Sequence, residues 1–224
     1  MAYFRRRYST PNPHAGAYAD PYSSVASDPA LAPAKLPARV APAARQAAAA
    51  LSALGAPFAV ADLETTGLST ASCEILEFAA VRVGAGGLVE REYTQVVRVK
   101  SRVPPFISQL TGITQGEVDR HGIPMPDAFG AFLEFIGDVP VFFHNASFDR
   151  RFLLAAAETT GMPFANPTHC TLALARRAWP ELTSHKLGLL ARHLGVSAPT
   201  HRALADVHTT VAVALAARTR LGTV

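Results

Sequence analysis

Residues 58–97 contain three strand-like runs, FAVADLE, ILEFAAVRV and LVEREYTQVV, and the last two are joined only by Gly84-Ala85-Gly86-Gly87. So short and glycine-rich a connection lets the chain reverse directly, which pairs those two runs as an antiparallel hairpin. A further apolar run of buried-strand type, VPVFFHN (139–145), leads into the helical stretch FDRRFLLAAAETTG. PPFISQLTGIT and DAFGAFLEFIGD supply helical material before it. Roughly 170–221 then alternates a short strand signal with the helices LALARRAW, KLGLLARHLG and RALADVHTTVAVALAARTRL. Strands that first reverse and then alternate with helices specify an α/β domain. Its sheet is mixed, three antiparallel strands followed by parallel ones, with helices on the faces.

Different material precedes this domain. Residues 1–42 hold seven of the chain's seventeen prolines, spaced by Ser, Ala and Gly. Such a segment buries too little to offset its ordering entropy, and it is expected to be largely disordered. Alanine propensity favours a short helix over 44–54, the end of a leader assigned to 1–54; Gly55-Ala56-Pro57 then opens a domain at 55–224. Residues 1–50 carry six Lys/Arg against two Asp/Glu, and the remainder fifteen of each, so the net charge of +4 belongs to the leader. A neutral body excludes a broad electrostatic footprint for nucleic acid, and any such binding has to be local. The basic leader would add only salt-dependent phosphate affinity. No run of about 18 uninterrupted apolar residues is present, so no membrane span is expected. MAYFRRRYSTPN has no apolar core behind its arginines and does not read as a secretory signal. A cytoplasmic protein is expected, with Cys73 and Cys170 as free thiols.

Three acidic stretches carry the chemistry. In VADLETTGL, Asp62 and Glu64 alternate with Leu63 on one strand, so both carboxylates point to one face and Leu63 to the other. Two carboxylates on one face near a core repel unless a cation neutralises them, and oxygen donors of this kind suit Mg²⁺ or Mn²⁺. Thr65-Thr66-Gly67 follows as a tight turn suited to a phosphate or sugar. In FFHNASFDRRFL, Asp149 enters a helix just after a buried strand, where the helix dipole favours an acid and where α/β folds commonly bind ligands. In HRALADVHTT, His201 and Asp206 are five positions apart, about 140° around a helix. They share a site only if the helix begins near Arg202, with His201 on a mobile loop able to close over a seated substrate. Each stretch alone also has a plain structural reading: a solvated strand end, a helix N-terminal acid, an uncommitted histidine.

Taken together, D-x-E, H-N-A-x-F-D and H-x4-D resemble the three motifs of the DEDDh (DnaQ-like) 3′–5′ exonucleases, in particular the exonuclease domain of bacterial DNA polymerase III epsilon subunits. ILEFAAVRV, ISQLTGIT and KLGLLARHLG extend the likeness across about residues 57–221. The resemblance implies a ribonuclease H-like fold and two Mg²⁺ (or Mn²⁺) ions held by Asp62, Glu64, Asp149 and Asp206, with Asp62 bridging. It implies His201 as general base and release of nucleotides from single-stranded 3′ ends of DNA, with RNA as the alternative, as in ribonuclease T or oligoribonuclease. Thr65, Thr66 and Leu68 match positions that hold the terminal nucleotide; Asn145 and Phe148 match substrate-adjacent positions, although core packing explains Phe148 equally well. Lys186 and Arg192 are candidates for upstream phosphates or are solvated helix charges. Cys170 departs from the family, in which an acid is common at that position. No C-terminal polymerase tether is evident, so a stand-alone enzyme is expected in preference to a proofreading subunit.

Overall fold

The computed structural model describes residues 42–222; the segment before them, expected to be disordered, lies outside the described residues. Five strands form one sheet: β1 (Phe58–Thr65), β2 (Ile75–Val83), β3 (Val89–Val96), β4 (Val141–Phe143) and β5 (Thr168–Cys170), in the order β3-β2-β1-β4-β5. β1–β2 and β2–β3 are antiparallel, whereas β1–β4 and β4–β5 are parallel. The expected hairpin is present. Its turn closes through Gly87, whose N–H donates to the Gly84 carbonyl at 2.8 Å and whose φ of +81° is open to glycine without strain.

The described helices are α1 (Pro42–Ala53), α2 (Pro105–Thr111), α3 (Gln115–His121), α4 (Met125–Ile136), α5 (Ser147–Thr160), α6 (Thr171–Ala178), α7 (Leu187–Leu194) and α8 (Ala203–Gly222). None is long and apolar enough to cross a membrane. Helix α3 is absent from the sequence reading above. Its signal is a capping box, Thr114-Gln-Gly-Glu117, in which the Thr114 hydroxyl accepts the Glu117 N–H at 3.2 Å.

Strand β1 divides the core. Phe58 and Val60 face a layer built from α1, α6, α7 and α8, including Ala50, Leu174, Leu190, Val207 and Ala214. Ala59, Ala61 and Leu63 face the opposite layer, where α4 and α5 supply Phe129, Phe132, Phe152 and Leu153. Phe78 of β2 stacks on Phe132 there, ring centroids 5.0 Å apart. A smaller cluster, Leu76, Val96, Val103, Ile113 and Val118, lies under α2 and α3. The strand period of two therefore continues the α8 face to positions 62 and 64. Because β4 runs parallel to β1 and ends at Phe143, β1 projects beyond it, and the loop into α5 lies at that projecting end.

Residues 44–54, read with the leader, pack into the domain. The helix itself forms as expected, but Ala47, Ala50 and Leu54 are buried against Phe58 and the α6–α8 layer. An alanine-rich segment carries a weak amphipathic signature, so its burial is decided by the apolar surface it meets. Arg218 of α8 also donates to the Leu54 carbonyl at 2.6 Å and ties down the helix end. Leu54 is fully buried, so Leu54→Ala is expected to cost about 2–5 kcal/mol, measured as a fall in unfolding free energy by urea denaturation; a loss under about 0.5 kcal/mol would mean that α1 contributes little to the core.

Candidate active site

The end of β1 carries Asp62 and Glu64 on the α8 face, while Leu63 is buried in the other layer. Opposite them, α8 places Asp206 in its first turn, almost fully buried. One oxygen from each of Asp62, Glu64 and Asp206 lies within 4.8 Å of the others, near enough for a single cation to meet all three. The helix begins at Ala203, which brings Asp206 to the sheet as the 140° argument requires.

Asp149 arrives from the other side. It sits in the first turn of α5, 2% exposed, and its carboxylate accepts the backbone N–H of Leu63 and its own N–H. It stands outside the trio but acts on Asp62. Burial holds the Asp62 carboxyl well above the usual range, and the charges of Asp149, Glu64, Asp206 and Glu77 push it further. Glu64 is raised from 4.5 to about 8, first by burial and then by Asp206 and Glu77, against a lowering by Arg202. Burial likewise raises Asp149 and Asp206. Crowded acids that resist ionisation in this way are suited to hard divalent cations, which supply the missing positive charge.

His201 precedes α8 with a left-handed backbone, φ +58°, and is exposed. It lies beside Asp206: its N–H and its charge both lower the Asp206 carboxyl, as does the Thr200 N–H, which donates to Asp206 Oδ1 at 2.9 Å.

The remaining sequence candidates fall into three groups. Thr65 and Thr66 are buried, and their hydroxyls are used within the loop: Thr65 Oγ1 donates to the Gly67 carbonyl at 2.7 Å, and Thr66 Oγ1 accepts the Glu74 N–H at 2.8 Å. That loop presents Leu68, 79% exposed, at its tip. Asn145 is exposed with φ +68°, whereas Phe148 is half-buried, 5.1 Å from the Phe152 ring, with Arg151 over its face. Lys186 immediately precedes α7, with no side-chain cap bond, and lines a cavity of about 550 Å³ with Asn145, Arg176, Ser184 and His185. His144, just after β4, bonds Thr171 Oγ1 and the His185 carbonyl, so it ties the end of β4 to the start of α6 and to the segment before α7. Cys73 and Cys170 are free thiols.

Three charged residues next to the carboxylates escaped the sequence reading: Glu77, Arg202 and Glu117. Glu77 left a trace there, as the one acid in the otherwise apolar first half of ILEFAAVRV.

A family model described as Exonuclease, RNase_T, matches residues 59–214. The PolC-type DNA polymerase III of Clostridium perfringens is 37% identical over 158 residues, which are 70% of this chain and 11% of that protein. The DNA polymerase III epsilon subunit of Aquifex aeolicus is 35% identical over 163 residues, 71% of this chain and 79% of that one. Among solved structures, Exonuclease X in complex with 5′-overhanging duplex DNA superposes with a TM-score of 0.60 at 28% identity, covering 75% of this chain and 94% of that one. The chain thus spans about a tenth of the polymerase it matches and most of the two smaller proteins. The matched region takes in Asp62, Glu64, Asp149, His201 and Asp206 and all five strands of the sheet, and the chain belongs to the exonuclease family.

Proposed function

We propose that this protein is a metal-dependent 3′–5′ exonuclease that hydrolyses the terminal phosphodiester of a single-stranded DNA 3′ end. The observation that carries the reading is the convergence of Asp62, Glu64 and Asp206 within 4.8 Å, with the buried Asp149 acting on Asp62 from the other side. Asp62, Glu64, Asp149 and Asp206 would hold two Mg²⁺ or Mn²⁺ ions. Such ions polarise the phosphate and stabilise the attacking and leaving oxygens of an in-line displacement. His201, beside Asp206 and open to solvent, takes the proton of the attacking water, a task that suits an imidazole near neutral pH.

The same geometry supports a substrate path. The Thr65–Leu68 loop receives the terminal nucleotide through its backbone, and Leu68 offers apolar contact to the base. With both threonine hydroxyls engaged inside the loop, their part is to hold its shape. Asn145 and Lys186 line one cavity, and we assign Lys186 to an upstream phosphate. Phe148 packs on Phe152 from the helix that carries Asp149, and it contributes a half-exposed ring at the substrate's edge.

DNA is favoured because Exonuclease X, covered over 94% of its length, was solved with duplex DNA bearing a 5′ overhang. We read the enzyme as acting without a polymerase; the epsilon-subunit likeness supports the proofreading alternative. The RNase_T name of the matching family keeps an exoribonuclease as the second reading. The deciding experiment compares matched single-stranded DNA and RNA oligonucleotides, labelled at the 5′ end, with Mg²⁺ and with chelator. Stepwise shortening of the DNA from its 3′ end, abolished by chelator, is expected; trimming of RNA alone would select the second reading.

Asp62→Asn keeps the side chain's size and removes its charge, and it is expected to lower kcat by at least about 100-fold with the fold intact by circular dichroism. Wild-type turnover in that variant would place the chemistry elsewhere.

The raised carboxyls also predict a pH response. A folded acid whose proton is held to higher pH than in the unfolded chain makes the folded state bind more protons between the two values, so stability falls as pH rises through that window. For Glu64 the window runs from 4.5 to about 8, and Asp62, Asp149 and Asp206 act in the same direction. The metal-free protein should therefore lose Tm between ~pH 5 and ~pH 8, and Mn²⁺ should restore more at the higher pH. Thermal melts with and without Mn²⁺ read this directly; a Tm that rises with pH in the metal-free protein would contradict it.

A further inference from the structure

Glu77, Arg202 and Glu117 form a chain of charges beside the carboxylate centre. Glu77 lies in β2 directly across from Glu64 and is 1% exposed. One of its oxygens accepts Arg202 Nη2 at 2.8 Å and the Thr94 hydroxyl at 3.2 Å; the other accepts the Ala203 N–H at 3.1 Å. Arg202 also reaches Glu117 Oε1 of α3 through Nη1 and Nη2, both at 3.2 Å. Ala203 is the first residue of α8, and its N–H has no acceptor within the helix. Glu77 therefore caps α8 from a strand 126 residues away in sequence and fixes the turn that carries Asp206.

The residue on the other side of His201 is pinned too, by the Thr200 N–H on Asp206 Oδ1. Both neighbours of His201 are thus fixed, while His201 itself is exposed in a left-handed conformation. A non-glycine residue stays in that conformation where the surrounding bonds over-determine it, and here the flanking bonds to Asp206, Glu77 and Glu117 do so.

We propose that Arg202 is a positioning residue for His201. Seated between Glu77 and Glu117, it sets the backbone from which the imidazole swings, so His201 reaches the attacking water by side-chain rotation. Where the sequence reading had a mobile loop closing over the substrate, this proposal has the side chain move on a pinned backbone. The inference rests on the reading of His201 as general base.

The test uses the full chain and steady-state kinetics on a single-stranded DNA oligonucleotide at saturating Mg²⁺, with Tm measured alongside. Arg202→Lys keeps a charge for buried Glu77 but cannot fork to both glutamates. It should lower kcat about 10- to 100-fold, with KM and Tm close to wild type. On a His201→Ala background, Arg202→Lys should cost nothing further, because the group it positions is gone. Glu117→Gln removes the outer anchor without stranding a buried charge, and it should reproduce the kcat loss in smaller measure, which keeps the test decisive if Arg202→Lys is unstable. Unchanged kcat in both variants, a rise in KM alone, or losses that multiply with His201→Ala would each overturn the proposal. His201→Ala with wild-type kcat would instead overturn the general-base reading, and the inference with it.

Discussion

Mutual repulsion around Asp62 is the constraint on which the rest of this structure depends. Asp62 feels Asp149, Glu64, Asp206 and Glu77 at once, from β1, α5, α8 and β2. No single element could hold so many acids together, since each would turn toward water if it were free to. The fold imposes the arrangement through parts that have no chemistry. Leu63 locks β1 into the α4–α5 layer, Val207 and Val211 seat α8 against β1 and β2, and Phe152 and Leu153 seat α5. Core packing thereby opposes electrostatic cost, and a divalent cation is the natural relief.

The parallel pairing of β1 with β4 explains why the site lies where it does. Parallel strands end on the same edge of the sheet, and the helix after β4 begins at that edge, with its N-terminal N–H groups and the positive end of its dipole turned toward the strand ends. Asp149 uses this position: it accepts N–H groups from its own helix start and from Leu63 of β1. The antiparallel half of the sheet has a different part. Strand β2 supplies Glu77, which faces Glu64 across the β1–β2 pair and reaches the start of α8.

Much of this was legible in the sequence where the relevant period is short. Asp62, Leu63 and Glu64 could be assigned to faces because a strand alternates with period two. The start of α8 could be placed because a five-residue spacing is incompatible with one helix face. The glycine-rich connection identified the hairpin for the same kind of local reason. Tertiary choices were not legible. Nothing in residues 44–54 distinguishes an alanine-rich helix in solvent from one covering Phe58, and the Glu77–Arg202 pair joins positions 125 apart with no local pattern to announce it. Helix α3 was legible in principle, through its capping box, and was missed because the surrounding segment has little apolar periodicity.

The charge of Arg202 sharpens what the centre requires. It is a cation close enough to lower Glu64, and by that alone it would make the acidic cluster less demanding of metal. Its guanidinium, however, is bonded to Glu77 and Glu117, neither of which belongs to the trio of Asp62, Glu64 and Asp206. Its charge is shared with these two partners, and Glu64 stays raised to about 8 in its presence. Arginine cannot shed its proton to relieve a misfit, and its planar fork keeps two directional partners at once. The residue beside His201 thus orders the backbone while leaving the carboxylates their appetite for divalent charge.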